Sequence, residues 1–316
     1  MNPEISVIIL TFNQEGTIGR TIESVLSQKD APEYEIIIGE DASTDSTRRV
    51  CMEYQEKYPG IIRLMPAAQN KGITRNYRDC LIAARGRYIA DCSGDDYWTD
   101  NSKLSREFDV LETNHDVSIV YSSVCEESKF VTPIIPGRRM LELMLDATGI
   151  PPIVLSAAMY RRDFIVSSPD FNRIFSYYCE DYPVIACLLS QGNAYKLEGE
   201  TLCYDMSTES SSRPSDSVKS FRNTMNAIEM RLSLAERYEI DKEALKNFQD
   251  ENLTYAISIS FYTGSASLRD DFNGTVRRLQ LKLPKKARIY RALMRFDLSR
   301  KIAAGIKDVL QRWHRV

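Results

Sequence analysis

Between Tyr88 and Trp98 the chain reads Tyr-Ile-Ala-Asp-Cys-Ser-Gly-Asp-Asp-Tyr-Trp, an apolar run that ends in two adjacent carboxylates, Asp95 and Asp96. A short apolar run closed by Gly and Asp is the pattern of a buried strand with the acids at its carboxyl end. In open α/β sheets, ligands bind at that end. Two unpaired carboxylates repel each other unless a cation lies between them or both reach water. We read Asp95 and Asp96 as holding a divalent metal; a solvated Asp-Asp turn is the other reading of such a pair taken alone. His115 and His314 are the only histidines, so a His-based metal site or a Ser-His-Asp triad is hard to build. Oxygen ligands remain, and with them Mg or Mn. A second acidic pair, Glu180-Asp181, opens an apolar helical stretch and so sits at the positive end of a helix.

The elements that must position these acids follow from the apolar periodicity. Strands are expected at Ile5 to Thr11, Glu35 to Gly39, Ile61 to Leu64 and Arg87 to Asp91. Helices are expected at Glu15 to Gln28, from a Ser43 cap to about Tyr54, and at Thr74 to Ala84. This alternation is that of a mostly parallel sheet flanked by helices. Right-handed crossovers then line up the carboxyl ends of the strands on one rim, where Thr11-Phe12-Asn13, Glu40 to Ser43, Pro66 to Asn70 and Asp95-Asp96 gather. Further on, a helix at Lys103 to Thr113 precedes strands at Val117 to Val124 and Leu155 to Tyr160. A helix from Glu180 to about Ser190 follows, then a closing hairpin of Lys196-Leu197 with Thr201 to Met206. The segment Cys125 to Ile150 carries one short helix, Arg139 to Leu145, and reads as a lid beside the site or as a surface excursion.

With 43% apolar and 27% charged residues in 316, the chain can bury a sizeable core, and the length suits one α/β domain plus an appended piece. We divide it into a domain at 1–206, a serine-rich linker at 207–217 and a helical region at 218–316, with helices at Val218 to Tyr238, Lys242 to Tyr262, Leu268 to Leu281 and Ala287 to Trp313. Seven cysteines without a Cys-x-x-Cys pair argue against a disulfide framework or zinc knuckle and for a reducing compartment. No signal segment or transmembrane run is legible, so a cytoplasmic protein is expected. The net charge of −3 hides a basic tail: Lys285 to Val316 carries +8, which leaves −11 for the rest. Apolar residues from Ile289 to Trp313 recur at helical spacing among those bases, so the tail is expected either to lie on a membrane surface or to pack on its own domain. Nucleic acid fits poorly with the acidic core. No glycine cradle of the dinucleotide-binding or P-loop kind is present, so a nucleotide would be held by side chains and a metal.

Five features in order, Thr11-Phe12-Asn13, Asp41-Ala42-Ser43-Thr44-Asp45, Asn70-Lys71-Gly72 with Arg75-Asn76, Gly94-Asp95-Asp96 and Glu180-Asp181, make residues 1–206 resemble the family 2 inverting glycosyltransferases of GT-A fold. The resemblance implies a metal-dependent enzyme that moves a sugar from a nucleoside-diphosphate sugar, UDP-linked by expectation, to a saccharide or lipid-linked acceptor of a surface polysaccharide. In that family Thr11, Asn13 and Glu15 would lie by the nucleotide, Asp41 would accept from the uracil N–H, and Arg75 would approach the diphosphate. Asp96 would ligate Mn or Mg, with Asp95 supporting the metal or the ribose. Asp181 would be the catalytic base, with Glu180 as the fallback. Helix capping, a solvated arginine and a helix-dipole preference are the structural readings of the same residues. Trp98 could stack on a sugar or belong to the core, and Asp91 is given a structural role. The chain departs from the family at Tyr204-Asp205-Met206-Ser207, where relatives often carry Tyr-Arg-x-His. The rival functions are a nucleotidyltransferase, which would want a basic glycine-rich loop after the first strand, and a non-catalytic nucleotide-sugar or glycan-binding protein.

Overall fold

A computed structural model of the protein describes residues 3–65, 67–124, 132–203 and 216–294. It divides into two compact units, one made of residues 1–144 and 149–206, the other of 145–148 and 207–316.

The first unit opens with three strand-helix pairs: β1 Ile5–Thr11, α1 Ile18–Leu26, β2 Tyr34–Glu40, α2 Thr47–Lys57, β3 Ile62–Leu64 and α3 Ile73–Ala83. It continues with β4 Tyr88–Ser93, β5 Tyr97–Trp98, α4 Lys103–Thr113, β6 Val117–Tyr121, β7 Ile134–Ile135 and α5 Gly137–Asp146. It ends with β8 Ala158–Arg161, two single-turn helices, α6 Asp163–Val166 and α7 Phe171–Ile174, then α8 Asp181–Leu189, β9 Asn193–Lys196 and β10 Leu202–Cys203. The main sheet runs β3-β2-β1-β4-β8-β6-β9-β7. Its first four strands are parallel, with Ile8 opposite both Ile37 and Asp91. β1 and β2 are dominated by apolar residues because helices cover both faces, and Ile5, Val7, Ile9, Ile36 and Ile38 are all fully buried. Burying each such side chain contributes roughly 1.5–3 kcal/mol. The chain order reverses between β1 and β4, and the crevice at such a reversal is the expected ligand position of an open sheet.

Several expectations are corrected. Leu155 to Ala157 form a single 3-10 turn, and the strand begins only at Ala158. That strand is antiparallel to both β4 and β6. The anticipated hairpin does not form: β9 pairs with β6 and β7, whereas Leu202 and Cys203 pair with Trp98 and Tyr97. Both partnerships are long-range, so no turn signal announces them. The first helix starts at Ile18, because Gln14 to Thr17 form a turn held by Thr17 N–H donating to the Gln14 carbonyl. Ser43 does not cap the second helix; the Asp45 carboxylate accepts from Thr47 N at 2.9 Å in its place. Trp98 is core, its indole N–H bonded to the Ser156 carbonyl at 2.9 Å.

The second unit is helical: α9 Ser217–Arg237, a 3-10 turn Lys242–Leu245, α10 Lys246–Thr263, α11 Ala266–Arg278 and α12 Lys285–Leu293. Asp216 and Ser265 cap their helices by accepting from Lys219 N and Leu268 N, and Gly264 in the left-handed region ends α10. Arg231 is buried, with its guanidinium 3.7 Å over the Phe248 ring and hydrogen bonds to the carbonyls of Leu145 and Ala147. Among the described residues no helix is long and apolar enough to cross a membrane. The tail beyond Met294, and with it most of the basic helix expected at Ala287 to Trp313, lies outside the described residues.

Candidate active site

The carboxyl end of β1 is sewn to the turn after β2. Asn13, at φ 54°, donates its N–H to Ser43 Oγ at 3.0 Å, and its Oδ1 accepts from Thr44 N at 2.8 Å. Glu15 is bonded twice to the Asp45-Ser46 turn: Glu15 N donates to Asp45 Oδ2 at 3.1 Å and Ser46 N to Glu15 Oε2 at 2.8 Å. Asn13 and Glu15 therefore lie on the expected rim, but both spend side-chain oxygens on fixing one loop against another. Thr11 is buried, and its hydroxyl has no hydrogen bond among the described residues.

Asp41 ties in the third loop. Its two carboxylate oxygens accept from Lys71 N and Gly72 N, each at 2.9 Å. A carboxylate offers about four acceptor positions, so capacity is left for a ligand N–H. Gly72 has φ 83°, a conformation that costs a residue with a side chain, and it starts α3. Arg75 follows within the first turn of that helix, exposed. Phe12, 44% exposed between Thr11 and Asn13, is an aromatic on the same rim that no sequence pattern singled out as a site residue. The signal that could have found it is an apolar residue immediately past a buried strand end.

The acidic turn after β4 closes the rim. A Cβ on Gly94 would lie 2.5 Å from Gln14 Oε1 and 2.8 Å from Thr11 Oγ1, so glycine is what lets this turn touch the end of β1. Thr21 of α1 donates to the carbonyl of Asp96 at 2.6 Å, and Arg20 donates to that of Asp95 at 3.3 Å while stacking 4.1 Å above the Tyr97 ring. Asp96 is 2% exposed and Asp95 half-buried, so Asp95 is the more accessible of the two. Burial and the charges of Asp96, Asp91 and Asp95 push the Cys92 thiol far above its ordinary range. Behind the turn Lys103 is fully buried, paired with Glu107 at 2.6 Å and 4.5 Å from the Trp98 ring centre. Burial raises the Glu107 carboxyl to about 7 although Lys103 pulls the other way.

Among the described residues no three His, Cys, Asp or Glu side chains cluster as a metal cage. Mg and Mn do not need one: such ions are commonly held by one or two carboxylates and completed by substrate phosphates and water. The hard oxygens of Asp95 and Asp96, with no histidine or accessible thiol beside them, fit that mode.

The second acidic pair reaches the same edge from the other side. Thr74, next to Arg75, donates to the carbonyl of Tyr177 at 3.4 Å, and the Tyr77 and Phe175 ring centres are 6.2 Å apart. The segment leading to α8 thus lies along α3. Asp181 Oδ1 accepts from Tyr182 N at 2.7 Å in the first turn. The Glu180 carboxyl is raised by burial first, then by the charges of Asp181 and Asp91. The loops after β1, β2 and β4 and the start of α3 are accordingly tied together around Thr11, Asp41, Asp95 and Asp96, and the segment that leads to Glu180 and Asp181 passes the start of α3 at Tyr177. Residues 204–215, where the Tyr204 to Ser207 departure falls, lie outside the described residues.

Comparison with known proteins gives the chain a family. The chain spans about half the length of the curated relatives it matches. It is 37% identical over 166 residues to an uncharacterized protein of Mycobacterium tuberculosis, covering 50% of this chain and 47% of that protein. It is 36% identical over 129 residues to WfaP of Escherichia coli, named a UDP-Glc:alpha-D-GlcNAc-diphosphoundecaprenol beta-1,3-glucosyltransferase, covering 40% and 48%. Among solved structures, Staphylococcus aureus TarS 1-349 in complex with UDP-GlcNAc superposes with a TM-score of 0.63 at 16% identity over 96% of this chain and 89% of that one. The mannosyltransferase PcManGT of Pyrobaculum calidifontis, in complex with GDP-Man and Mn2+, superposes with a TM-score of 0.56 at 16% identity over 98% and 88%. Those two likenesses show the fold, a mostly parallel GT-A sheet with a helical region after it. The profile described as Glycosyl transferase family 2 matches residues 6–166, just over half of the chain, and the chain belongs to that family.

Proposed function

We propose that this glycosyltransferase is metal-dependent and inverting, and moves a hexosyl or N-acetylhexosaminyl group from a UDP-linked donor to a saccharide or lipid-linked acceptor in surface polysaccharide synthesis. The observation that carries the reading is that the loops after β1, β2 and β4, which hold the strand-end acids, are tied to one another and to the start of α3 beside the point where the chain order of the sheet reverses. The relatives support the donor and acceptor classes by what they bind or are named for, UDP-GlcNAc in one and a lipid-linked diphosphate saccharide in another.

On this reading Thr11, Asn13, Glu15 and Asp41 frame the nucleotide, with Asp41 offering its remaining acceptor capacity to the base N–H and Phe12 its exposed ring face. Arg75 meets the diphosphate with its planar fork. Asp96 and Asp95 would hold Mg or Mn, which supplies charge neutralisation of the leaving diphosphate. Asp181 takes the proton from the acceptor hydroxyl as its oxygen bonds to the anomeric carbon. The bond to the diphosphate breaks on the opposite face, so configuration inverts. We place the enzyme in the cytoplasm, at the membrane face. The exposed Ile289 and Leu293 of α12, among Lys285, Lys286, Arg288 and Arg291, support a peripheral attachment.

The test is a thermal-shift screen of nucleotide sugars with and without Mn, followed by turnover assays. Stabilisation by one UDP-sugar that requires the metal, with transfer lost and donor binding kept in Asp181→Asn, is the expected result. Donor binding without turnover in the parent protein would point to a binding module and overturn the enzyme reading.

A further inference from the structure

The polar residues at the start of α1 fall on one stripe. Thr17, Arg20, Thr21 and Ser24 are spaced i, i+3, i+4 and i+7, beside the buried apolar stripe of Ile18, Ile22 and Val25. Thr21 is fully buried and Ser24 nearly so, and hydroxyls taken out of water need partners. They find them along the acidic turn. Thr17 stands just before the helix, where a hydroxyl commonly caps the first turn. It makes no such bond and donates to the Gly94 carbonyl at 2.8 Å. Arg20 donates to the Asp95 carbonyl at 3.3 Å. Thr21 reaches the Asp96 carbonyl at 2.6 Å, closer than its other acceptors, the carbonyls of Gly94 at 3.1 Å and Thr17 at 3.4 Å. A hydroxyl has one proton to give, so the consecutive carbonyls of Gly94, Asp95 and Asp96 receive one donor each. Ser24 closes the row by accepting from Trp98 N at 3.1 Å. The amides of the turn are tied to the sheet, Gly94 N to the Leu10 carbonyl at 2.9 Å and Asp96 N to that of Ser93 at 3.0 Å.

We propose that this polar stripe, Thr21 above all, positions the Asp95 and Asp96 carboxylates for a divalent cation. The proposal rests on the metal-dependent reading above. The Cα of Asp95 joins the peptide groups that carry the Gly94 and Asp95 carbonyls, and the Cα of Asp96 joins those that carry the Asp95 and Asp96 carbonyls. Peptide groups are planar, so a donor on each of the three carbonyls fixes the direction of both Cα–Cβ bonds. No side chain of α1 need touch a carboxylate to do this. Thr17, Arg20 and Thr21 act through the backbone and are positioning residues. A cation held by only two carboxylates gains from finding them already in place, because the cost of ordering them is then met in folding rather than in binding. Groups that orient metal-binding side chains are worth roughly 10- to 100-fold in metal affinity.

The experiment compares the full chain with Thr21→Val, which keeps the shape of the side chain without its hydroxyl, and with Thr21→Ser, which keeps the hydroxyl. Mn uptake in the presence of UDP is read from the electron paramagnetic resonance signal of the free ion. Thr21→Val is expected to weaken Mn binding roughly 10-fold or more, and Thr21→Ser to bind Mn as the parent does. In transfer assays the Mn concentration for half-maximal rate is expected to rise in step, with kcat restored at saturating Mn. Parental Mn affinity in Thr21→Val, whatever its melting temperature, marks Thr21 as a packing residue and overturns the proposal. Should Thr21→Val fail to fold, Thr17→Val removes the half-buried donor to Gly94 in its place. Weakened Mn uptake there supports the proposal, and unchanged uptake overturns it. A parent protein that takes up no Mn with UDP defeats the metal-dependent reading instead. Hydrogen–deuterium exchange of the amides from Gly94 to Trp98, expected to quicken in Thr21→Val, then decides whether α1 holds the turn, and unchanged exchange overturns that as well.

Discussion

Two buried carboxyl groups of the parallel strands, Glu35 at the amino end of β2 and Asp91 level with the middle of β1, are treated in opposite ways. Glu35, at the amino end of β2, accepts from Ser6 Oγ at 2.7 Å, from Arg85 N at 2.8 Å, and from the Arg85 guanidinium at 2.7 and 3.0 Å, with Arg63 beside it. Burial alone would raise its carboxyl; the Arg85 and Ser6 hydrogen bonds and the Arg63 charge outweigh that and hold it below the usual range. Asp91, level with the middle of β1, has one tyrosine donor and an oxygen with no hydrogen bond among the described residues, and burial wins. The charges around Glu35 serve stability. Asp91, by contrast, is left with a single donor, which costs stability and leaves a proton that can move.

The largest expected effect is in the candidate active site. Asp181→Asn is expected to lower turnover by roughly 100- to 10,000-fold while the melting temperature barely moves, because asparagine keeps the side-chain oxygen that accepts from Tyr182 N. A comparable loss of folding stability would erase the division between acids kept for chemistry and acids kept for stability. Next is Glu35→Gln, which leaves two arginines without their carboxylate; unfolding in urea is expected to show a loss of about 3 kcal/mol, with the kcat of the folded protein unchanged.

The pH dependence of stability separates Glu35 and Asp91 by sign. Glu35, held low, contributes stability that is present above its unfolded value near 4.5 and is lost as pH falls through its folded value. Asp91, raised to about 8 from 3.8, contributes stability that is present at acid pH and is lost as pH rises through about 8. Each unit of such a shift corresponds to about 1.4 kcal/mol at most. Melting curves from pH 5 to 9 are therefore expected to show a decline that flattens in Asp91→Asn and persists in Glu35→Gln. Identical slopes in the two variants would break the contrast. The smallest effect is at Ala42, whose φ of 58° glycine adopts more cheaply. Ala42→Gly is expected to change stability by no more than about 1 kcal/mol, in the stabilising direction, read as a small rise in melting temperature.

Much of this arrangement is legible in the chain before any folding. The strands through Ile5 to Thr11 and Tyr88 to Asp91 announce themselves as apolar runs, the helix at Lys103 to Thr113 coincides with its apolar face, and the Asp95-Asp96 and Glu180-Asp181 pairs stand out by type. Local periodicity encodes these because a strand or a helix buries one face at a fixed spacing. What local spacing could not express is which distant group meets which. Asp41 reaches Gly72 across 31 positions, Gly94 packs on Thr11, and β10 pairs with β5 in place of its sequence neighbour. Asp91 looks like any strand acid until Tyr77 and Tyr160 close over it. Amino-acid types alone decided that acids would gather at strand ends. Their ionisation was decided by tertiary packing, because the cost of a buried charge depends on how many donors the fold happens to bring within reach.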